Sequence, residues 1–232
     1  MSRRKYWLII DTETTEESTV ADFGALICDR HGKVYSRCAV LVAGEFGEKK
    51  LFHNRDAGIW GLAGLKKRTD EYHAMLNDGR RTLASVAAIN RWLENVRGHY
   101  NPELTAYNLP FDVDKTKNTG IGLDVFPERF DLWQAALGCI TTTRAYKQHC
   151  LDHHLFNNRT EPLGNMTYQT KAETVYHYLS GDDTPEPHTA AEDAEQFEKP
   201  VLVAVLKTRN FREKMRSYNW RDHQLRDNYR AK

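Results

Sequence analysis

The chain has 232 residues, 28% of them charged and 40% hydrophobic, with a net charge of +1. That composition excludes a disordered chain and fits a soluble globular protein with one sizeable core. No apolar run approaches the about 18 residues that cross a membrane. The charge is uneven: from Lys207 onward nine Lys or Arg face three acids, so a tail of +6 follows a body of −5. A basic tail on an acidic body points to a polyanionic partner. Cys28, Cys38, Cys139 and Cys150 follow no secretory signal and are expected as reduced thiols in a cytoplasm.

In chain order, Lys5 to Asp11 is a short apolar strand ending in acids, and residues 20–29 form a second. A turn at Arg30-His31-Gly32-Lys33 leads to a third strand, Val34 to Val42, so the opening is an antiparallel meander. Residues 43–80 hold six Gly and a Lys66-Lys67-Arg68 cluster and read as a long insertion with short helices. Thr82 is expected to cap an amphipathic helix built on Leu83, Val86, Ala87, Leu93 and Val96 and ending at Gly98.

Leu104 to Tyr107 is a short strand; Asn108 can cap the next helix, with Pro110 in its first turn and Gly120 at its end. Arg129 to Leu132 is a fifth strand running into a helix that stops at Gly138, and a further helix fits Thr143–Leu155. Thr170-Lys-Ala-Glu173 and Thr189-Ala-Ala-Glu192 are spaced as capping boxes. The first opens a helix over Lys171–Leu179, the second a long helix toward Arg209 that Pro200 should kink. The pattern implies one α/β domain over residues 1–206, with the insertion at 43–80, followed by a basic, aromatic tail at 207–232.

Four acids are distinguished by placement. Asp11 and Glu13, at i and i+2, share one face of an extended chain. Asp112 lies in the first turn of one helix and Asp193 one turn into another, with His188 just before that helix. If the first strand is central, these helix starts converge on its carboxyl end, where sites form in open α/β sheets. Clustered carboxylates repel, and burying them unpaired is expensive. A hard divalent cation resolves the conflict, and oxygen ligands suit Mg²⁺ or Mn²⁺. Such acids can hold two ions about 4 Å apart across a phosphodiester, while a histidine takes a proton from the attacking water.

Three motifs carry a resemblance to the DEDDh-type 3′–5′ exonucleases, a superfamily that includes proofreading subunits, oligoribonuclease and ribonuclease T. Ile9-Ile10-Asp11-Thr12-Glu13-Thr14-Thr15 resembles the first motif. Ala106-Tyr107-Asn108-Leu109-Pro110-Phe111-Asp112 resembles the second and His188-Thr-Ala-Ala-Glu-Asp193 the third. Asp22-Phe-Gly-Ala-Leu and the turn at His31-Gly32 are similar to the family's second and third strands. The whole pattern is most similar to phage-encoded members, which would place the protein in the host cytoplasm. Glu16 stands where a Gly often follows the first motif, and the insertion is longer than a minimal member needs.

The resemblance implies a ribonuclease H-like fold: a mixed five-stranded sheet, antiparallel over strands 1–3 and then parallel, flanked by helices. It implies release of nucleoside 5′-monophosphates from the 3′ end of single-stranded nucleic acid, DNA favoured over RNA, with two Mg²⁺ or Mn²⁺ ions. Asp11 would bridge both ions, Glu13 and Asp193 would hold the first, and Asp112 would contribute directly or through water. His188 would be the general base; Thr12, Thr14 and Asn108 would touch the terminal nucleotide or orient the site. The alternatives are a ribonuclease H-like endonuclease and a non-catalytic nucleic-acid-binding or adaptor module on the same fold.

Three further features have competing readings. Cys139, His149, Cys150, His153 and His154 invite zinc, but their spacing is not the paired pattern of structural sites, and Cys150 is expected to pack inward. Lys66-Lys67-Arg68 is either a phosphate grip or solvated surface. In the tail, Tyr218, Trp220 and Tyr229 alternate with Arg212, Arg216, Arg221, Arg226 and Arg230. They can stack on bases and take phosphates, or pack on the body or on the partner subunit of a homodimer.

Overall fold

The structure is a computed structural model that describes residues 4–53, 58–157 and 166–225. Strand β1 (Tyr6–Thr14) alternates its side chains between two cores. Trp7 and Ile9 join one with Leu26, Leu132, Val201 and Val205, while Leu8 and Ile10 join the other with Phe23, Leu93 and Phe126. Burial on both faces is why the strand reads as a continuous apolar run. β2 (Val20–Asp29) and β3 (Val34–Val42) complete the antiparallel meander, with a turn in which Gly32 takes φ +80° and donates to Asp29 O.

The sheet has six strands in the order β4-β3-β2-β1-β5-β6, where β4 is Thr82–Ala84, β5 Glu103–Ala106 and β6 Arg129–Asp131. β5, β6 and β4 pair in parallel with β1, β5 and β3 respectively. The expected five strands become six because Thr82 does not cap a helix. It extends the sheet edge, and Ser85 caps α2 (Val86–Tyr100) by accepting from Ala88 N–H. α2 runs through Gly98 and ends where Asn101 turns left-handed. It covers one sheet face together with α3 (Leu109–Thr119), which Gly120 ends as expected.

The other face is covered by α4 (Leu132–Ala136), α5 (Arg144–Asp152), α6 (Ala172–Ser180) and α8 (Lys199–Lys207), with α7 (Ala190–Glu192) preceding α8. β7 (Phe156–Asn157) and β8 (Thr167–Tyr168) form a separate two-stranded ribbon. The insertion contains a 16-residue helix, α1 (Leu62–Asn77), whose Tyr72 and Met75 build a small core with Ala21, Leu41 and Leu51. α1 replaces the short helices expected there.

Neither capping box forms. The Thr170 hydroxyl accepts from the Trp133 indole and Glu173 accepts the Glu186 N–H. Thr189 donates to Glu192, whose carboxylate is held by Arg81. The long last helix is divided: a π turn over Asp193–Glu198 separates α7 from α8, immediately before Pro200, which has no N–H to give.

After α8, α9 (Phe211–Arg216) packs on the body so closely that a Cβ on Gly138 would lie 2.3 Å from Lys214 O. Leu225 is buried in the same core as Trp7. Among the described residues no helix is long and apolar enough to cross a membrane. All four cysteines are buried and free.

Candidate active site

β1 lies between β2 and β5, so its carboxyl end opens at the middle of the sheet. Continuing the alternation of Trp7 and Ile9, Asp11 and Glu13 share one face, opposite Gly24 and Asp22 of β2. Thr12 points to the other face. There its hydroxyl donates to Asp112 Oδ1 at 2.8 Å, tying the first turn of α3 to the strand. Thr14 is buried beside these residues in sequence, and its carbonyl accepts the Phe52 N–H. Glu16, in the position of the usual Gly, pairs with Lys50 and His53 at the start of the insertion.

Asn108 adopts φ +73° at the head of α3 and makes no side-chain cap, contrary to expectation. The Asp131 carboxylate caps α4 and feels the backbone N–H groups of Asn108 and Leu109, which favour its charged form.

Asp193 and His188 come from the segment laid across β2. Gly24 permits this approach, since a Cβ there would sit 2.2 Å from the Ala190 carbonyl carbon. The Ala190 N–H donates to Asp22 Oδ2, and buried Arg81 clamps Asp22 with two nitrogens while reaching Glu192 with two contacts. One residue further, Asp193 meets Glu13 and His188: one ligand atom from each lies within 4.8 Å of the others. Atoms that close could hold a cation, and among the described residues this is the one such group of His, Cys, Asp and Glu.

The electrostatics agree. Burial, then Glu198, Asp193, Asp112 and Glu13, push Asp11 well above the usual carboxylate range. Glu13 is pushed up by burial, with the Arg68 guanidinium opposing. Burial holds Asp112 at about 7 despite the Thr12 hydrogen bond, and burial with Glu186 and Glu13 holds Asp193 at about 10. Asp193 Oδ1 is buried without a hydrogen-bond partner. Half-buried Asp11 and Glu13 and buried Asp112 and Asp193 raise one another and leave an oxygen orphaned, a donor set fitting a hard divalent cation.

His188 takes φ +56° and is half-buried under Trp60, ring centroids 4.9 Å apart. Burial, aided by Arg68 and Lys171, holds it below its ordinary 6.5, so at neutral pH the ring is uncharged and able to accept a proton. Arg68 backs the stack: its guanidinium lies 4.6 Å from the Trp60 ring, and Nη2 donates to Phe52 O at 2.6 Å. Arg68 is thus buried at 2% exposure and is neither phosphate grip nor solvated surface, whereas Lys66 is exposed and pairs with Asp70.

The sequence reading missed Glu186 and Glu198. Glu186 is held at about 7 by burial and Glu173, and Glu198 is held well above the usual range by burial and Asp112. Glu186 had a signal, two residues before His188; Glu198 had none, because it is five residues beyond Asp193.

Cys150 and Arg212 are taken up by packing, whereas Arg216 and Arg221 are exposed. Cys150 is fully buried in the core, and His149 stacks on His153 at 4.5 Å. In the tail, Arg212 holds both oxygens of Glu103 and lies over Phe211 and Phe130. Arg226, Tyr229 and Arg230 lie outside the described residues. Asp11, Glu13, Asp112, His188 and Asp193 all come from one chain, so no second copy is needed to bring them together.

This architecture, a mixed six-stranded sheet flanked by helices with β1 at its middle, is the ribonuclease H-like fold of exonucleases. The chain superimposes on Escherichia coli exonuclease I in complex with a 5cy-dT13 oligonucleotide, with TM-score 0.50 and 15% identity over 91% of this chain and 42% of that one. It superimposes similarly on exonuclease I in complex with the inhibitor BCBP, with TM-score 0.51 and 15% identity over 92% and 43%. The chain therefore spans about two-fifths of the length of these proteins. No family model matches the chain, and no curated protein matches it.

Proposed function

We propose that the protein is a metal-dependent 3′–5′ exonuclease acting on single-stranded nucleic acid, DNA in preference to RNA. The observation that carries this reading is the meeting of Glu13, His188 and Asp193 at the end of β1, beside Asp11 and the Thr12-held Asp112. A binding module has no use for buried acids that repel one another. Two Mg²⁺ or Mn²⁺ ions would be held by Asp11, Glu13, Asp112 and Asp193. When bound they would neutralise charge on the scissile phosphate.

Within that site the chain's own groups divide the work. Neutral His188, stacked under Trp60, accepts the proton of the attacking water at a ring nitrogen. Thr12 orients Asp112, and the left-handed turn at Asn108 sets the start of α3. Thr14 and Asn108 border the space for the terminal nucleotide.

The test uses 5′-labelled single-stranded DNA and RNA with Mg²⁺, Mn²⁺ or EDTA, and a second substrate with a blocked 3′ end. A ladder shortening from the 3′ end, abolished by EDTA and by the block, is expected. His188→Ala should lower turnover ~10²–10⁴-fold while leaving Mn²⁺ binding in place. Cleavage indifferent to the block would make the protein an endonuclease; oligonucleotide binding without cleavage would make it a binding module.

A further inference from the structure

A second concave site lies at the other end of β1. Trp7 and Glu13 stand six positions apart on that strand, about 20 Å of extended chain. Beside Trp7 opens a cavity of about 620 Å³ that three segments remote in sequence enclose. Arg4 and Lys5 come from the segment before β1, Arg30 and His31 from the turn between β2 and β3, and Arg212 from the basic tail. The tail reaches it because α9 lies against the body at Gly138. Trp7, Leu206 and Phe211 give the cavity an apolar wall.

Two carboxylates answer these cations. Glu103 is buried and held by Lys5 Nζ at 3.0 Å and by Arg212 Nη2. The Asp29 carboxylate accepts from the neutral N–H groups of His31 and Lys33 and from the Tyr35 hydroxyl, on which Arg4 also rests. Four Lys and Arg therefore face two carboxylates, an excess of two positive charges before His31 is counted. Arg212 reaches Glu103 through Nη2 alone, and exposed Arg30 has no side-chain hydrogen bond or ion pair among the described residues. Their remaining donors are free for a ligand.

A phosphomonoester near neutral pH carries about −1.5 to −2 charges and three strong acceptor oxygens, which match that excess. The volume lies in the ~300–1,000 Å³ range of small-molecule sites, more than a phosphate alone fills. Guanidinium planes and aromatic rings are also surfaces on which nucleobases stack. We propose that this cavity binds a nucleoside 5′-monophosphate, with its phosphate on Lys5, Arg30 and Arg212 and its base toward Leu206 and Phe211. That is the class of molecule the activity proposed above would release, held at the opposite end of β1 from the acids.

The experiment is calorimetric titration of the full chain with dAMP in EDTA, so that this proposal and the metal-dependent reading fail separately. Wild type should bind dAMP and ignore deoxyadenosine, which lacks the phosphate. Inorganic phosphate should displace dAMP only at tenfold or greater excess. Arg30→Gln removes an exposed, unpaired cation and should melt as wild type does. It should weaken dAMP about tenfold or more, and Arg30→Glu further still. Lys66→Gln, which removes an exposed cation that does not line the cavity, should change nothing.

No binding of dAMP by wild type would overturn the proposal, as would equal affinity in wild type and Arg30→Gln, or an equal loss in Lys66→Gln. Inorganic phosphate as potent as dAMP would remove the nucleoside from it. A 5′-phosphorylated oligonucleotide that binds where dAMP does not would also overturn it, making the cavity part of a strand path.

Discussion

Glu192 and Asp193 are adjacent in sequence and belong to opposite kinds of acidic cluster. Glu192 joins Asp22 around Arg81, a buried guanidinium that contacts both carboxylates; although burial opposes it, Arg81 holds Glu192 down at about 2. Asp193 joins Asp11, Glu13, Asp112 and Glu198, where burial and mutual repulsion hold it at about 10. The first cluster is completed by the chain's own cation, so it is structural: it pins α7 to β2. The second has no guanidinium clamped across its carboxylates, and the function proposed above completes it with cations. A buried carboxylate is thus informative through its counter-charge more than through its burial.

The largest effect should come from breaking the completed cluster. Arg81→Met leaves Asp22 buried and uncompensated, which typically costs about 3–5 kcal/mol. Urea unfolding should show it, and a loss below about 1 kcal/mol would mean that the triad does not pin α7.

Next comes the response of the incomplete cluster to pH and metal. Asp112 and Asp193 cost nothing while protonated in both states, below the ordinary value of 3.8. Their penalty grows as pH rises toward about 7 and about 10. Glu192 acts with the opposite sign: its stabilisation is complete above its ordinary 4.5 and is lost as pH falls toward about 2. In EDTA, melting temperature should therefore decline from about pH 5 to pH 9. Mn²⁺ should reverse that decline, adding ~2.7 kcal/mol at a hundredfold excess over its dissociation constant. Asp11→Asn should remove most of the Mn²⁺ response; an equal response in both proteins would separate these acids from metal binding.

The smallest effect belongs to the link between strand and helix. Thr12→Val removes the hydroxyl that donates to Asp112, a loss of ~1 kcal/mol. It should also prolong the decline in EDTA to higher pH without shifting its onset, because that hydrogen bond holds the Asp112 titration down. A double-mutant cycle with Asp112→Asn should show coupling; additive effects would mean that the two residues act independently.

What the sequence made legible followed from local periodicity. The meander, the two-residue spacing of Asp11 and Glu13, and the helix starts carrying Asp112 and His188 are all set within a few residues of one another. Thr82–Ala84 was hidden because three residues of edge strand run directly into the apolar rhythm of α2. α1 was hidden because charged residues dominate it and its inward face includes Arg68, a side chain that reads as surface until Trp60 and Phe52 are seen around it. Glu198 was hidden because its hold on the Tyr107 N–H follows a π turn, which no period of 3.6 anticipates.

The contact of Ala190 on Gly24 joins residues far apart in the chain, and the Ala190 N–H on Asp22 spans a separation of 168. During synthesis β1 and β2 emerge early and can pair as a hairpin within moments, but Glu13 then waits for nearly the whole chain before Asp193 and His188 arrive. Contacts of such long range are slow to close. A half-made chain would carry the strands of the sheet without the cluster at the end of β1, so, on the function proposed above, order of assembly would itself keep a nascent chain silent beside the message being translated.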